Sequence, residues 1–226
     1  KKANLFGANA LYSFESAILK ALAHEKRKEL FEIVGKLRKI PKLVGNVVGG
    51  GMHSSTIAKH PNFQEFLVIV KSDKVSTNIK VMNYIYSKCG KDLKANKVND
   101  EGAWLVSNED KEVFDIVNKY RFEAEKKFKI RVDIGIDSAS STLFNRGKYN
   151  YTFDKFDSKK QLNFMQELIM NHELGYVEDA FEEHDFKNFA KLQKKLGKEC
   201  LIVGDDLTAT QYGRTVGAIR TGSINA

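Results

Sequence analysis

The chain has 226 residues and a formal charge of +8, with a pI near 9.2. Its longest apolar run, Phe66-Leu-Val-Ile-Val70, is far short of the ~20 residues of a membrane-spanning helix, which excludes a helical membrane protein. No aromatic-basic module accompanies the excess Lys and Arg, which argues against nucleic acid as the partner.

The basic residues are interspersed with Glu and Asp on the expected helix faces 155–160, 187–198 and 124–129, as on a solvated surface. Lys26-Arg-Lys28 with Arg38-Lys39 is the densest local cluster. Cys89 and Cys200 lie far apart without metal-ligand spacing, which suits reduced thiols and makes the cytoplasm the default location.

In chain order, Leu11, Phe14, Ile18 and Leu22 recur at the spacing of one buried helix face, predicting a helix over 8–23 and a second over 25–34. Pro41 then breaks the helical pattern. A strand over 43–48 runs into Gly49-Gly-Gly-Met-His53, where glycines let backbone approach a ligand beside a histidine. The next strand, 66–70, has Gln64 and Glu65 at its start rather than its end, so it is expected to run against the others. If it pairs antiparallel with the first strand, its start lies beside that strand's end, and His53 and Glu65 reach the same mouth. Between helices predicted over 77–89 and 108–128, Val98-Asn-Asp100-Glu101-Gly102 forms a polar loop placed to act as a lid.

Three further strands, 130–136, 175–177 and 201–203, alternate with helical segments, and each is followed by an acid: Asp137, Glu178 and Asp205. In strand-helix repeats of parallel sense all strand C-termini share one face, so the three acids converge there. Clustered carboxylates repel one another and raise each other's pKa unless a hard cation neutralises them. All-oxygen ligation suits Mg2+, whereas zinc would call for His or Cys. Read one at a time, the acids have simpler explanations. Asp205 or Asp206 would cap the following helix, Asp100 and Glu101 would cap the helix after their loop, Glu65 would be an edge-strand charge, and His53 an exposed loop residue.

Taken in order, these segments resemble the enolase family. The matching residues are Leu5-Phe-Gly-Ala-Asn-Ala10, Gly49-Gly-Gly-Met-His53, Gln64-Glu65-Phe66, Asp100-Glu101-Gly102, Gly135-Ile-Asp137-Ser-Ala-Ser-Ser141, Val177-Glu178-Asp179 and Val203-Gly-Asp205-Asp206-Leu207-Thr208. The resemblance implies an α/β fold, the enolase-type (β/α) barrel with an antiparallel second strand. Residues 1–40 would be the helical remainder of an α+β N-terminal capping domain, and residues 41–226 the first five strands of the barrel. It implies a magnesium-dependent lyase of glycolysis and gluconeogenesis that interconverts 2-phosphoglycerate and phosphoenolpyruvate. Asp137, Glu178 and Asp205 would hold Mg2+. Glu101 would be the general acid, assisted by Glu65, and His53, Gln64, Glu65, Glu178 and Asp205 would face substrate. A homo-oligomer, dimer or larger, would be the family's usual assembly.

Several features depart from that pattern. A complete barrel takes about 250 residues, the chain opens at Lys1 without Met, and Ser223-Ile-Asn-Ala226 resembles the start of a sixth strand. The chain is therefore expected to be an internal segment of a longer protein, with open sheet edges. Its lysine base would lie beyond Ala226, so this segment alone would be inactive. Ala180 stands where the family has proline, Ala103 where it has a second glycine, and Ser54-Ser-Thr where small Ala-Gly residues are common. These changes leave two alternatives open: a diverged enolase-like paralogue that binds RNA or another macromolecule, and a superfamily enzyme acting on a different carboxylate. Intact Gln64, Glu65 and Glu101 argue against the second.

Overall fold

The computed structural model describes residues 7–35 and 40–226. Leu5, Phe6, Arg38 and Lys39, named above, lie outside the described residues. The chain divides into two compact units, Lys1–Pro41 and Lys42–Ala226.

In the first unit, α1 spans Ala8–Glu25 and α2 only Leu30–Val34. The second helix starts later than the sequence pattern suggests. A turn with Arg27 at φ +50° intervenes, and a reciprocal Glu29–Glu32 capping box then fixes the new start. The expected buried face of α1 is not buried. Phe14 and Ile18 are 66% and 52% exposed, and Ala23 is the one buried apolar residue among those described in this unit. The five residues of α2 offer too little apolar surface to cover the stripe of the 18-residue α1.

The second unit is built on one mixed sheet. Its strands are β1 (Gly45–Gly49), β2 (Glu65–Val70), β3 (Trp104–Leu105) and β4 (Val132–Asp137), followed later in the chain by β8 (Leu174–Glu178) and β9 (Leu201–Val203). Their spatial order is β3-β1-β2-β4-β8-β9. β2 is antiparallel to both its neighbours, as Gln64-Glu65 at its start suggested, and the other pairings are parallel. Between β4 and β8 lie α5 (Ser140–Leu143) and a small three-stranded meander of β5 (Phe144–Asn145), β6 (Lys148–Asn150) and β7 (Lys155–Phe156). The long helices are α3 (Val75–Asp92), α4 (Asp110–Phe128), α6 (Ser158–His172), α7 (Phe186–Leu196) and α8 (Tyr212–Thr221).

Two expectations are corrected. The sheet has a sixth strand, β3, because two residues after the Glu101 loop are long enough to pair with β1 but too short to show a period. Residues 155–160 do not form one helix face: Lys155 and Phe156 pair in the meander, and α6 starts at Ser158 behind its Asp157 cap. The sheet is open, with no closed barrel among the described residues. No helix among them is long and apolar enough to cross a membrane. Asn225 lies beside β9, where its N–H donates to the Ile202 carbonyl and its Oδ1 accepts from Ile202 N–H, but no strand is formed there.

Burial explains why these runs became strands. β2 and β4 are covered on both faces, and Phe66, Leu67, Val68, Ile69, Val70, Ile134 and Ile136 are all at most 4% exposed, as continuous rather than alternating apolar runs predict. Phe63, Phe66 and Phe114 meet edge to face, with ring centroids 5.0 to 6.0 Å apart. Asn62 ties three elements at the rim: its Nδ2 donates to Asp110 Oδ2 at the start of α4 and to Thr152 Oγ1 in the meander, and its Oδ1 accepts Thr152 N–H.

Candidate active site

One row of residues crosses the sheet. Leu105 pairs with Gly49, Gly49 with Glu65, Glu65 with Asp137, Asp137 with Glu178, and Glu178 with Val203. Because β2 runs backwards, its first residue, Glu65, takes the same level as the last residues of its neighbours. Asp205 follows two residues beyond Val203. The sheet thus gathers the expected acids along one edge, and the loops after β1 and before β3 add His53 and Glu101.

His53, Glu65 and Glu101 form the tightest group. Their donor atoms all lie within 4.8 Å of one another. His53 Nδ1 is 3.1 Å from Glu101 Oε2, near enough to pair as an ion though not aligned as a hydrogen bond. Asn46 Nδ2 donates to the same oxygen at 3.1 Å. β1 has a bulge between Asn46 and Val48, a device that re-aims side chains at sheet ends. The Glu101 loop is braced by Asn99, whose Oδ1 accepts the N–H groups of Glu101 and Ala103 at 3.0 and 2.9 Å.

Burial, and then the close approach of the Glu101 carboxylate, push the Glu65 carboxyl far above the usual carboxylate range. Burial works in the same direction on Glu101, but its close contacts with Glu65 and His53 outweigh it and hold Glu101 below its ordinary value. Of the two neighbouring carboxyls, Glu65 is thus the one whose ionisation is opposed and Glu101 the one whose ionisation is favoured.

The strand-end acids stand differently. Asp137 is buried; its Oδ1 accepts Ala139 N–H at 2.8 Å and its Oδ2 accepts from Gln64 Nε2 at 3.1 Å. Burial first, and the Glu178 charge next, push it up to about 8. Glu178 accepts the Tyr176 hydroxyl at 2.6 Å; burial raises it, and among the charges that add to the rise Asp205 is the largest. Among the described residues, Asp137, Glu178 and Asp205 do not approach one another as closely as the His53 group does. Uncompensated carboxylates turn toward nearby N–H and O–H donors rather than toward each other. The donor set is nonetheless all oxygen, with Asp137 buried, Glu178 half-buried and Asp205 exposed, and such a set fits a hard divalent cation and not a soft one.

The simpler readings of the loop acids do not hold. α8 begins at Tyr212 with Gln211 as its cap, so neither Asp205 nor Asp206 caps a helix, and α4 begins behind Glu109, well past Glu101. Glu65 is not an edge charge either, since β2 lies inside the sheet. Sequence reasoning missed Asn46, Asn99, Tyr176 and Asp179. Of these only Asp179 left a sequence trace, as the second half of an acidic pair at a strand end.

A mixed sheet with an antiparallel second strand and acids at successive strand ends defines an α/β enzyme-type domain. Residues 38–226 match the family described as enolase, C-terminal TIM barrel domain, and the chain belongs to the enolase family. It is 29% identical to an enolase of Thermoplasma acidophilum over 97% of its length and 56% of that protein's. It is 31% identical to an enolase of Natronomonas pharaonis with the same coverage. Against an enolase of Pyrobaculum aerophilum the identity is 37% over 78% of this chain and 44% of the relative. The chain spans about half the length of the curated relatives it matches.

Proposed function

We propose that this chain carries the cation-holding and acid side of an enolase active site, in a protein that reversibly dehydrates 2-phosphoglycerate to phosphoenolpyruvate. The observation that carries the reading is the row Gly49–Glu65–Asp137–Glu178–Val203, which lines up one acid from each of three adjacent strands beside the Glu101 loop. Residues 1–40 are read as helices of a capping domain and residues 41–226 as the start of the barrel.

Asp137, Glu178 and Asp205 would hold Mg2+. When bound, that cation stabilises the negative charge that builds up on a substrate carboxylate as the neighbouring carbon loses its proton. Glu101 serves as general acid to the departing 3-hydroxyl. Glu65, whose carboxyl is raised far above the usual range, stands beside Glu101 as the source of that proton. Asn46 and His53 orient the accepting oxygen. Gln64, held by Asp137, and His53 stand where substrate would be contacted. The complete reaction also takes a base for the carbon-bound proton.

The test is magnesium-dependent formation of phosphoenolpyruvate, followed by absorbance, for the protein that contains these residues and for its Glu101→Gln variant. Activity abolished in the variant supports the reading. An inactive wild type that still binds Mg2+ would point instead to a diverged paralogue.

A further inference from the structure

We propose that Asp179 is the positioning residue of this site: it locks the Asp205 segment onto the ends of β4 and β8 and thereby sets how far apart the three strand-end carboxylates stand. This rests on the reading of Asp137, Glu178 and Asp205 as the cation ligands.

Asp179 is the first residue past β8 and only 2% exposed. All its polar groups are engaged, and they reach both flanking loops. Its N–H donates to the Val203 carbonyl at 3.1 Å, and its carbonyl accepts Ser140 N–H at 3.1 Å. Its carboxylate accepts Asp206 N–H at 2.8 Å and Leu207 N–H at 3.4 Å. One residue thus bonds to the segments after β4 and after β9 while being joined covalently to Glu178.

The need for such a lock follows from the topology. β9 ends at Val203 and α8 starts only at Tyr212, so Asp205 lies in a stretch with no ladder to hold it. The turn bonds from Thr208 and Ala209 to the Asp205 carbonyl shape that stretch internally. Arg214 Nε, donating to the Leu207 carbonyl at 2.7 Å, ties it to its own following helix. Arg214 Nη2 also donates to the Glu183 carbonyl farther along the loop after β8, whereas the two Asp179 carboxylate bonds make the tie directly beside Glu178 at the end of β8. The two N–H donors sit on different carboxylate oxygens, Asp206 N–H on Oδ2 and Leu207 N–H on Oδ1, so a carboxamide in the same orientation would turn its NH2 group against one of them. Asp179 sits at φ +44°, in the left-handed region where Asp is among the better-tolerated residues.

The experiment measures Mn2+ affinity of the purified protein by the EPR signal of free Mn2+, for wild type, Asp179→Asn and Asp206→Asn. Asp206→Asn also removes one negative charge beside the strand-end acids but keeps the Asp206 N–H bond to Asp179, so it gauges the loss of a nearby charge without loss of the lock. The expected result is a loss of about tenfold or more for Asp179→Asn, in the range typical of residues that orient metal ligands, with Asp206→Asn clearly less affected. Equal losses in the two folded variants, or no loss in Asp179→Asn, overturn the proposal. Hydrogen exchange on the wild type decides the matter if Asp179→Asn does not fold. Saturating Mg2+ should then slow exchange at the Asp206 and Leu207 amides, and unchanged rates overturn the lock. A wild type that binds no Mn2+ overturns the cation reading itself, before any variant is compared.

Discussion

Gly49 and Asn99 are fitted to each other: a Cβ placed on Gly49 would stand 2.6 Å from Asn99 Nδ2 and 3.3 Å from its Cγ. Asn99 cannot give way freely, because its Oδ1 holds the N–H groups of Glu101 and Ala103. Gly49→Ala should therefore cost about 1–3 kcal/mol, the usual penalty for overfilling a packed region, and shift the Glu101 loop. Urea denaturation checks the first effect; an unmoved midpoint would show that the Asn99 side chain simply rotates aside.

Asn46 is the partner of Glu101 that can be removed with least disturbance, being half-buried in β1 with one bond to the acid. A hydrogen bond to a charged group contributes about 1.5 kcal/mol or more, so Asn46→Ala should lower kcat about tenfold or more under the proposed function. The bond acts on the acid and not on substrate binding, so KM should change little. A raised KM with normal kcat would place Asn46 against substrate instead.

Trp104, the one tryptophan of the chain, reports on β3. Its ring stacks on Tyr86 at 4.7 Å, and its Nε1 donates to the Tyr86 carbonyl at 2.9 Å. A Cβ on Gly90 of α3 would fall 2.4 Å from its Cε2. Gly90→Ala should push the indole outward, shift its emission to longer wavelength and destabilise the fold by about 1–3 kcal/mol. Unchanged emission would mean that α3 moves rather than the ring.

Asp110 gives a pH dependence that is independent of the cation site. Burial raises its pKa above 3.8, against the opposing hydrogen bonds from Asn62 and Phe63. In the interval between the unfolded and folded values the native state holds a proton that the unfolded chain has released, so stability falls as pH rises through that interval. Asp110→Asn lacks this titration. The stability of wild type relative to the variant should therefore decline from pH 4 upward and level off once the folded carboxyl has ionised. Parallel urea midpoints for the two proteins across pH 4 to 7 would sink the assignment.

The sequence by itself determined the strands that carry acids, because β2, β4, β8 and β9 are short apolar runs closed by polar residues, and that pattern is local. It also indicated the antiparallel sense of β2, since Gln64 and Glu65 precede the apolar run rather than follow it. β3 and the meander were not legible: strands of two or three residues show no period, and they exist only because an already-formed edge or neighbour offers hydrogen-bond partners. The apolar stripe of α1 was legible as a stripe, but whether it is buried is a property of its surroundings and not of its spacing.

For the site, residue types pointed to His53, Glu65, Glu101, Asp137, Glu178 and Asp205, because charged groups at the ends of apolar strands are visible one at a time. Only the tertiary structure decided that Glu65 faces Glu101, that Asn46 and Asn99 hold the acid loop, and that Asp179 joins the segments after β4 and β9. Those relations connect residues up to 55 positions apart. They depend on strand register and loop closure, where a single residue of slip turns a side chain to the opposite face.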